Sequence, residues 1–163
     1  MTYSNVAARY TERGRGFVAH QRFAARILAE HFGYDRVESG EAMELVNTNF
    51  YKRGKIVEIA HIKVRDMTFD ALEGYGSLVI TGYKISAGIA MSKEHGVPFN
   101  CYAYLLGDRR LVGWKIFNEQ ELLSLDSRRT RTRNTCNGGT AERVNSFLPL
   151  EGAFLLPETL AVI

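Results

Sequence analysis

The stretch "SLVITGYKISAG", residues 77–88, decides how the chain is read. Its first nine residues are mostly apolar and β-branched, the composition of a strand, yet that strand ends on a cation, Lys84. From Ser86 to His95 the pattern changes to "SAGIAMSKEH", a short helix closed by Gly96 and followed by Pro98. Two further strands, "FNCYAYLL" and "RLVGWKIF", are joined across "GDR". Strand, helix, strand in that order is a crossover, which favours a parallel pair of 77–85 with 99–106.

Toward the N-terminus, "EGYG" at 73–76 is a turn, preceded by the short run "MTFDAL". Before it, "AMELVNTNFY" and "KIVEIAHIKV" form a hairpin through "KRG". The first strong element is "GFVAHQRFAARILAEHFG", residues 16–33, where Phe17, Phe23, Ala24, Ile27, Leu28 and Phe32 recur near helical spacing and Gly33 is a stop. Toward the C-terminus, "EQELLSL" reads as a short helix and "RRTRTRNTCNGG" as a polar loop. "AERVNSFLPLEGAFLLPETLAVI" reads as an irregular tail too apolar to float free. The expected fold class is α/β: a mixed central sheet flanked by helices over 1–117, with a basic loop and apolar tail over 118–163 packed on the same domain.

Composition narrows the classes of function. With 163 residues, 45% hydrophobic and 24% charged, the chain can bury one core without metal or disulfide staples. Cys101 and Cys136 form no CxxC pair, which argues against a structural zinc site and fits a reducing compartment. No stretch approaches the roughly 18 apolar residues of a membrane span. The opening "MTYSNVAARYTERGRGF" lacks an apolar signal core, so no membrane partner and an intracellular, cytoplasmic location are expected.

The net charge is only +3, but arginine is clustered. Arg9, Arg13, Arg15, Arg22 and Arg26 lie early, the last two on the exposed side of the first helix. Arg128, Arg129, Arg131 and Arg133 lie late. Arginine's planar fork suits phosphate, and "RRTRTRN" in extended form puts Arg129, Arg131 and Arg133 on one face. Such a strip can follow a nucleic-acid backbone, and equally it can be a solvated face. Tyr102 and Tyr104 share the strand face opposite Phe99 and Cys101 and are candidates for stacking or for a protein partner. The four histidines have no metal-ligand spacing, and no G-x-S-x-G or phosphate-cradling glycine loop is present.

The order helix, hairpin, "FDAL", "ITGYKI", helix, "VPFNCYAYLL", "RLVGWKI" resembles the restriction-endonuclease-like core of the PD-(D/E)XK nuclease superfamily over roughly residues 16–117. In that family an Asp ends one strand, an acid-x-Lys triplet lies on the next, a helix follows, and a Glu on the first helix often completes the site. The resemblance implies Asp70, Lys84 and Glu30 as the catalytic residues of a DNA endonuclease. Mg²⁺ or Mn²⁺ would be held by Asp70, Glu30 and Glu73, and Lys84 would position the water. DNA is expected in preference to RNA.

The chemistry behind the pattern is phosphodiester hydrolysis: carboxylates hold a divalent cation, which activates water, and a lysine stabilises the growing charge. One departure stands out. Gly82 occupies the place of the family's second acid, so a substitute must come from Glu73, Asp66 or Glu58, or the site has become a binding scaffold without cleavage. Each residue also has an ordinary reading: Asp70 as a turn or cap residue, Glu30 as an i,i+4 partner of Arg26, Lys84 as a snorkelling strand end. A protein-interaction or structural subunit, self-associating as a homodimer through a sheet edge and the apolar tail, is the alternative from another class.

Overall fold

The structure is a computed structural model that describes residues 12–39, 48–116, 125–133 and 140–157. Its elements are α1 (Glu12–Phe32), β1 (Arg36–Ser39), β2 (Thr48–Lys52), β3 (Lys55–Arg65), α2 (Phe69–Tyr75), β4 (Ser77–Thr81) and α3 (Gly82–His95). They continue with β5 (Phe99–Leu105), β6 (Arg110–Ile116), β7 (Asp126–Arg133), β8 (Thr140–Pro149), a 3-10 turn (Leu150–Gly152) and β9 (Phe154–Leu155). The expected helix at "EQELLSL" and the segment 42–47 lie outside the described residues.

The described strands form two sheets. One has six strands in the order β1-β2-β3-β5-β6-β9, and the other three in the order β4-β8-β7. The larger is mixed: β3 and β5 run parallel, and the other pairs are antiparallel. The β2–β3 hairpin turns on Arg53 and Gly54, both at positive φ, the conformation a two-residue hairpin loop requires. The class is therefore α/β, as the sequence indicates.

Alternation along the strands sends side chains to two cores. On one face of the larger sheet, α1 packs Ala24, Ala25, Ile27, Leu28 and Ala29 against Phe50, Ala60, Ile62, Tyr102, Tyr104 and Leu111. On the other face, Ile59, Phe99, Cys101, Ala103, Leu105, Val112, Trp114 and Ile116 meet Leu72 of α2, Ile85 and Ile89 of α3, and Leu78, Ile80 and Leu148 of the smaller sheet. Each fully buried Leu, Ile or Phe here contributes about 1.5–3 kcal/mol. Strand β5 is buried at every residue because both its faces are covered. Tyr102 and Tyr104 do lie opposite Phe99 and Cys101, but they are buried under α1 and present no stacking surface.

Four expectations are corrected. The strand at 77–85 ends at Thr81, and α3 begins at Gly82, so Lys84 sits in a helix's first turn. Ile85 and Ile89, at i,i+4 spacing, bury into the core in place of a strand end. The parallel partner of β5 is β3, while β4 pairs antiparallel with β8. The tail is not irregular where it is described: residues 140–149 form the ten-residue central strand of the smaller sheet, followed by the 3-10 turn and β9. Finally, "MTFDAL" does not end a strand. Thr68 caps α2, its Oγ1 accepting from the Ala71 N–H at 3.2 Å, and Asp70 lies in the first helical turn. No described helix is long and apolar enough to cross a membrane.

Candidate anion-binding site

Strand β3 is eleven residues long, and its odd-numbered positions face α3. Ile59 sits in the core there, and the next three residues on that face are His61, Lys63 and Arg65. Their parallel neighbours on β5 are Cys101, Ala103 and Leu105. α3 packs on β3, and its first turn carries Lys84. Residue 143 of β8, opposite Thr130 of β7, adds a further arginine. Five basic side chains from three elements thus act on one region.

Burial and like charge both act against positive charge on this face. Burial holds the His61 imidazole well below its ordinary 6.5, and the charges of Lys84, Lys63 and Arg65 lower it further. Burial likewise holds the Lys63 ammonium well below its ordinary 10.5, with Arg65, Lys84 and Arg143 adding to the effect. Arg65 is lowered by burial and anchored by an Nη2 bond to the Val79 carbonyl at 2.9 Å. Lys63, Arg65, Lys84 and Arg143 all keep part of their surface open, so solvent reaches the cluster.

The start of α3 adds to the positive field. Thr81 makes no side-chain capping bond there, and the first turn contains no acid. A fourteen-residue helix with its N-terminus at this place adds partial positive charge to the basic face of β3. Nucleophile chemistry is not indicated, since the Cys101 thiol beside His61 is pushed up by burial and so stays protonated. What the arrangement can do is hold an oxyanion.

The other residues picked from the sequence are placed as follows. Asp70 and Glu73 are exposed on α2, on the same side of the larger sheet as Lys84. Glu30 is exposed on α1, which covers the opposite face, so the sheet stands between Glu30 and Lys84. Of the possible substitutes, Asp66 is exposed beyond the end of β3. Glu58 is buried on the α1 side, where it accepts from Asn100 Nδ2 and, at 2.6 Å, from the Tyr102 hydroxyl. Burial first, and then the Glu58 carboxylate, push the Tyr102 and Tyr34 phenols up. Among the described residues no three His, Cys, Asp or Glu side chains come together as a metal-holding group. The donors expected for Mg²⁺ do not fit a single ion, because Asp70 and Glu73 lie on one side of the larger sheet and Glu30 on the other.

The arginine stretch read as a polar loop is instead a strand from residue 126 to 133, and its extended backbone sends successive arginines to alternate faces. Strand β7 is an edge of the smaller sheet, with Arg129 opposite Val144 and Arg131 opposite Glu142 on one face. Arg128, opposite Asn145, lies on the other face, which also carries Arg143. Its guanidinium stands 4.3 Å from the Phe147 ring centre, with Nε 3.5 Å from Asp126. Arg129 Nε is 3.8 Å from Glu142. The backbone of Arg133 pairs with Thr140. Arg22 and Arg26 are exposed on α1, across the larger sheet from the cluster.

Sequence reasoning missed His61, Lys63, Arg65 and Arg143. A signal for the first three was present: "HIKVR" alternates basic and apolar residues, so a buried strand carries three cations on one face. No protein-family model matches the chain, and no curated protein matches it.

Proposed function

We propose that the chain is a nucleic-acid-binding domain that grips backbone phosphate through the cluster of His61, Lys63, Arg65, Lys84 and Arg143 and does not cut it. The observation that carries this reading is the row of His61, Lys63 and Arg65 on one face of β3, the strand on which α3 packs, with Lys84 in the first turn of that helix. A phosphodiester would bring negative charge to this basic face, where Lys63, Arg65, Lys84 and Arg143 keep part of their surface open. Arg128, on the same face of the smaller sheet as Arg143, extends the positive surface along an edge strand. Interactions of this kind position a duplex or single strand without reading its bases. DNA is the expected partner.

The non-cleaving version is preferred over a metal-dependent nuclease for a chemical reason. Of the lysines on or beside a described strand, Lys52, Lys55, Lys63, Lys84 and Lys115, none has a carboxylate two residues before it. The test is to incubate the protein with plasmid and with single-stranded DNA, with and without Mg²⁺ or Mn²⁺, and to follow mobility shift and cleavage together. The expected result is a salt-sensitive shift without cleavage. Metal-dependent cleavage abolished by Asp70→Ala and Lys84→Ala would replace this reading with the nuclease.

A further inference from the structure

Strand β4 pairs with β8 only over residues 145–149, whereas β7 follows β8 as far as the pair of Arg133 with Thr140. Among the described residues, 129–133 of β7 and 140–144 of β8 therefore form a two-stranded antiparallel ribbon that runs on past the third strand of its sheet. Its length is about 17 Å.

One face of this ribbon is open. Arg129 stands opposite Val144 and Arg131 opposite Glu142, so the four side chains project together. All four are exposed, including the apolar Val144 at 50%. The base of the ribbon is tied down from the other face: Asn145 is buried, and its Nδ2 donates to Thr130 Oγ1 at 2.7 Å and to the Arg143 carbonyl at 3.2 Å.

We propose that the ribbon, resting on the nucleic-acid role given to the chain, enters the major groove of duplex DNA with Arg129, Arg131, Glu142 and Val144 toward the base edges. The dimensions suit it. The groove is about 12 Å wide and admits two strands about 4.8 Å apart. Arg129 and Arg131, about 6.8 Å apart along β7, match about two base-pair steps. The chemistry suits base edges better than phosphate alone. An arginine fork fits the O6 and N7 of guanine, a carboxylate accepts from the cytosine amine, and valine methyls meet the thymine methyl. A surface that only followed phosphates would have no use for the acid or the valine. Arg129 Nε is 3.8 Å from Glu142, but both side chains are more than half exposed, so the guanidinium leaves that pair for a base at little cost. A second copy of the chain is the poorer occupant, because pairing β7 with β7 edge to edge sets arginine against arginine.

The probes are a short mixed-sequence DNA duplex and the same sequence as an RNA duplex, whose major groove is too narrow for side chains to read. Affinity is read by anisotropy, and dimethyl sulfate reports guanine N7, which lies in the major groove. The DNA duplex should bind at least about tenfold tighter than the RNA, with guanine N7 protected in the complex. Arg129→Ala and Arg131→Ala should each weaken DNA binding by about tenfold and lift the protection, with an unchanged unfolding midpoint. Binding to both duplexes alike, with N7 reactive and the variants as tight as wild type, would overturn the ribbon's role and leave the phosphate grip standing. A dimer in sedimentation that these substitutions dissociate, without N7 protection, would give the face to a second copy and overturn it equally. Absence of binding to either duplex would overturn both readings.

Discussion

The placement of Lys84 depends on α3 lying flat on the sheet, and Gly88 is where that approach is closest. A Cβ built on Gly88 would stand 2.2 Å from Phe99 Cε2 and 2.3 Å from Cζ, against an ordinary separation of 3.4–4 Å. Phe99 is fully buried at the start of β5, paired with Ile59 and Ile116, so its ring has nowhere to swing. Gly88→Ala must therefore lift the helix or distort the ring. Overpacking of this kind costs about 1–3 kcal/mol, and the short distance puts the site at the upper end. Alanine returns about 1 kcal/mol of helix propensity, leaving a net loss of about 2 kcal/mol, or a Tm lower by about 4–8 °C. Gly74→Ala in α2 is the control, because nothing lies within 4 Å of its Cβ position. It should gain up to about 1 kcal/mol. Urea unfolding followed by the fluorescence of Trp114, the single tryptophan, buried in the same core as Phe99, reads both variants. The lifted helix should also weaken DNA binding. Equal stability of the two variants would mean that α3 does not rest on β5, and the position of Lys84 beside β3 would fall with it.

Lys63→Met should stabilise the ligand-free protein at neutral pH, by about 1.4 kcal/mol for each pKa unit by which the fold holds the ammonium down. Because the folded value lies below 10.5, the unfolded chain binds more protons, and wild-type stability rises with pH up to that value. The Met variant should flatten that slope in urea midpoints measured across it. Tyr102→Phe removes a donor 2.6 Å from the buried Glu58 carboxylate. It should cost about 1–3 kcal/mol in the same unfolding assay while leaving DNA affinity unchanged, since it lies across the sheet. Glu30→Ala should leave DNA affinity within about twofold of wild type in an anisotropy titration, whereas Lys84→Ala should weaken it severalfold, by about 1 kcal/mol of charge-assisted bonding.

Much of the fold was legible because it is local. The apolar stripe of α1, the glycine of the β2–β3 turn and the alternation in β5 each depend on neighbours in sequence, and each is observed, whereas β7 reads as a polar loop because its arginines and threonines carry no apolar alternation. The start of α3 was hidden because "SLVITGYKI" reads as one β-branched run and Thr81-Gly82 offers no strong capping signal. Strand β8 was hidden because its partner is remote: Thr81 pairs with Asn145, and nothing local in "AERVNSFLP" announces β4.

The site was partly legible for the same reason. Lys84 was singled out, but its neighbours on β3 are polar residues that a hairpin strand would ordinarily turn to solvent. Only the packing of α3 on β3, a tertiary fact, covers the face that carries His61, Lys63 and Arg65. Glu30 illustrates the converse. Helical periodicity says that it faces outward from α1, while the face of the sheet that α1 covers is a tertiary fact.

The most direct measurement is the salt dependence of DNA binding, read as the slope of log affinity against log salt for wild type and for the Lys63→Met, Lys84→Ala and Arg143→Ala variants. A duplex gripped through its phosphates should give a steep negative slope, and each variant should shallow it by about 0.9 for every phosphate it no longer neutralises. A slope near zero, or variants that bind with the wild-type affinity and slope, would contradict the account.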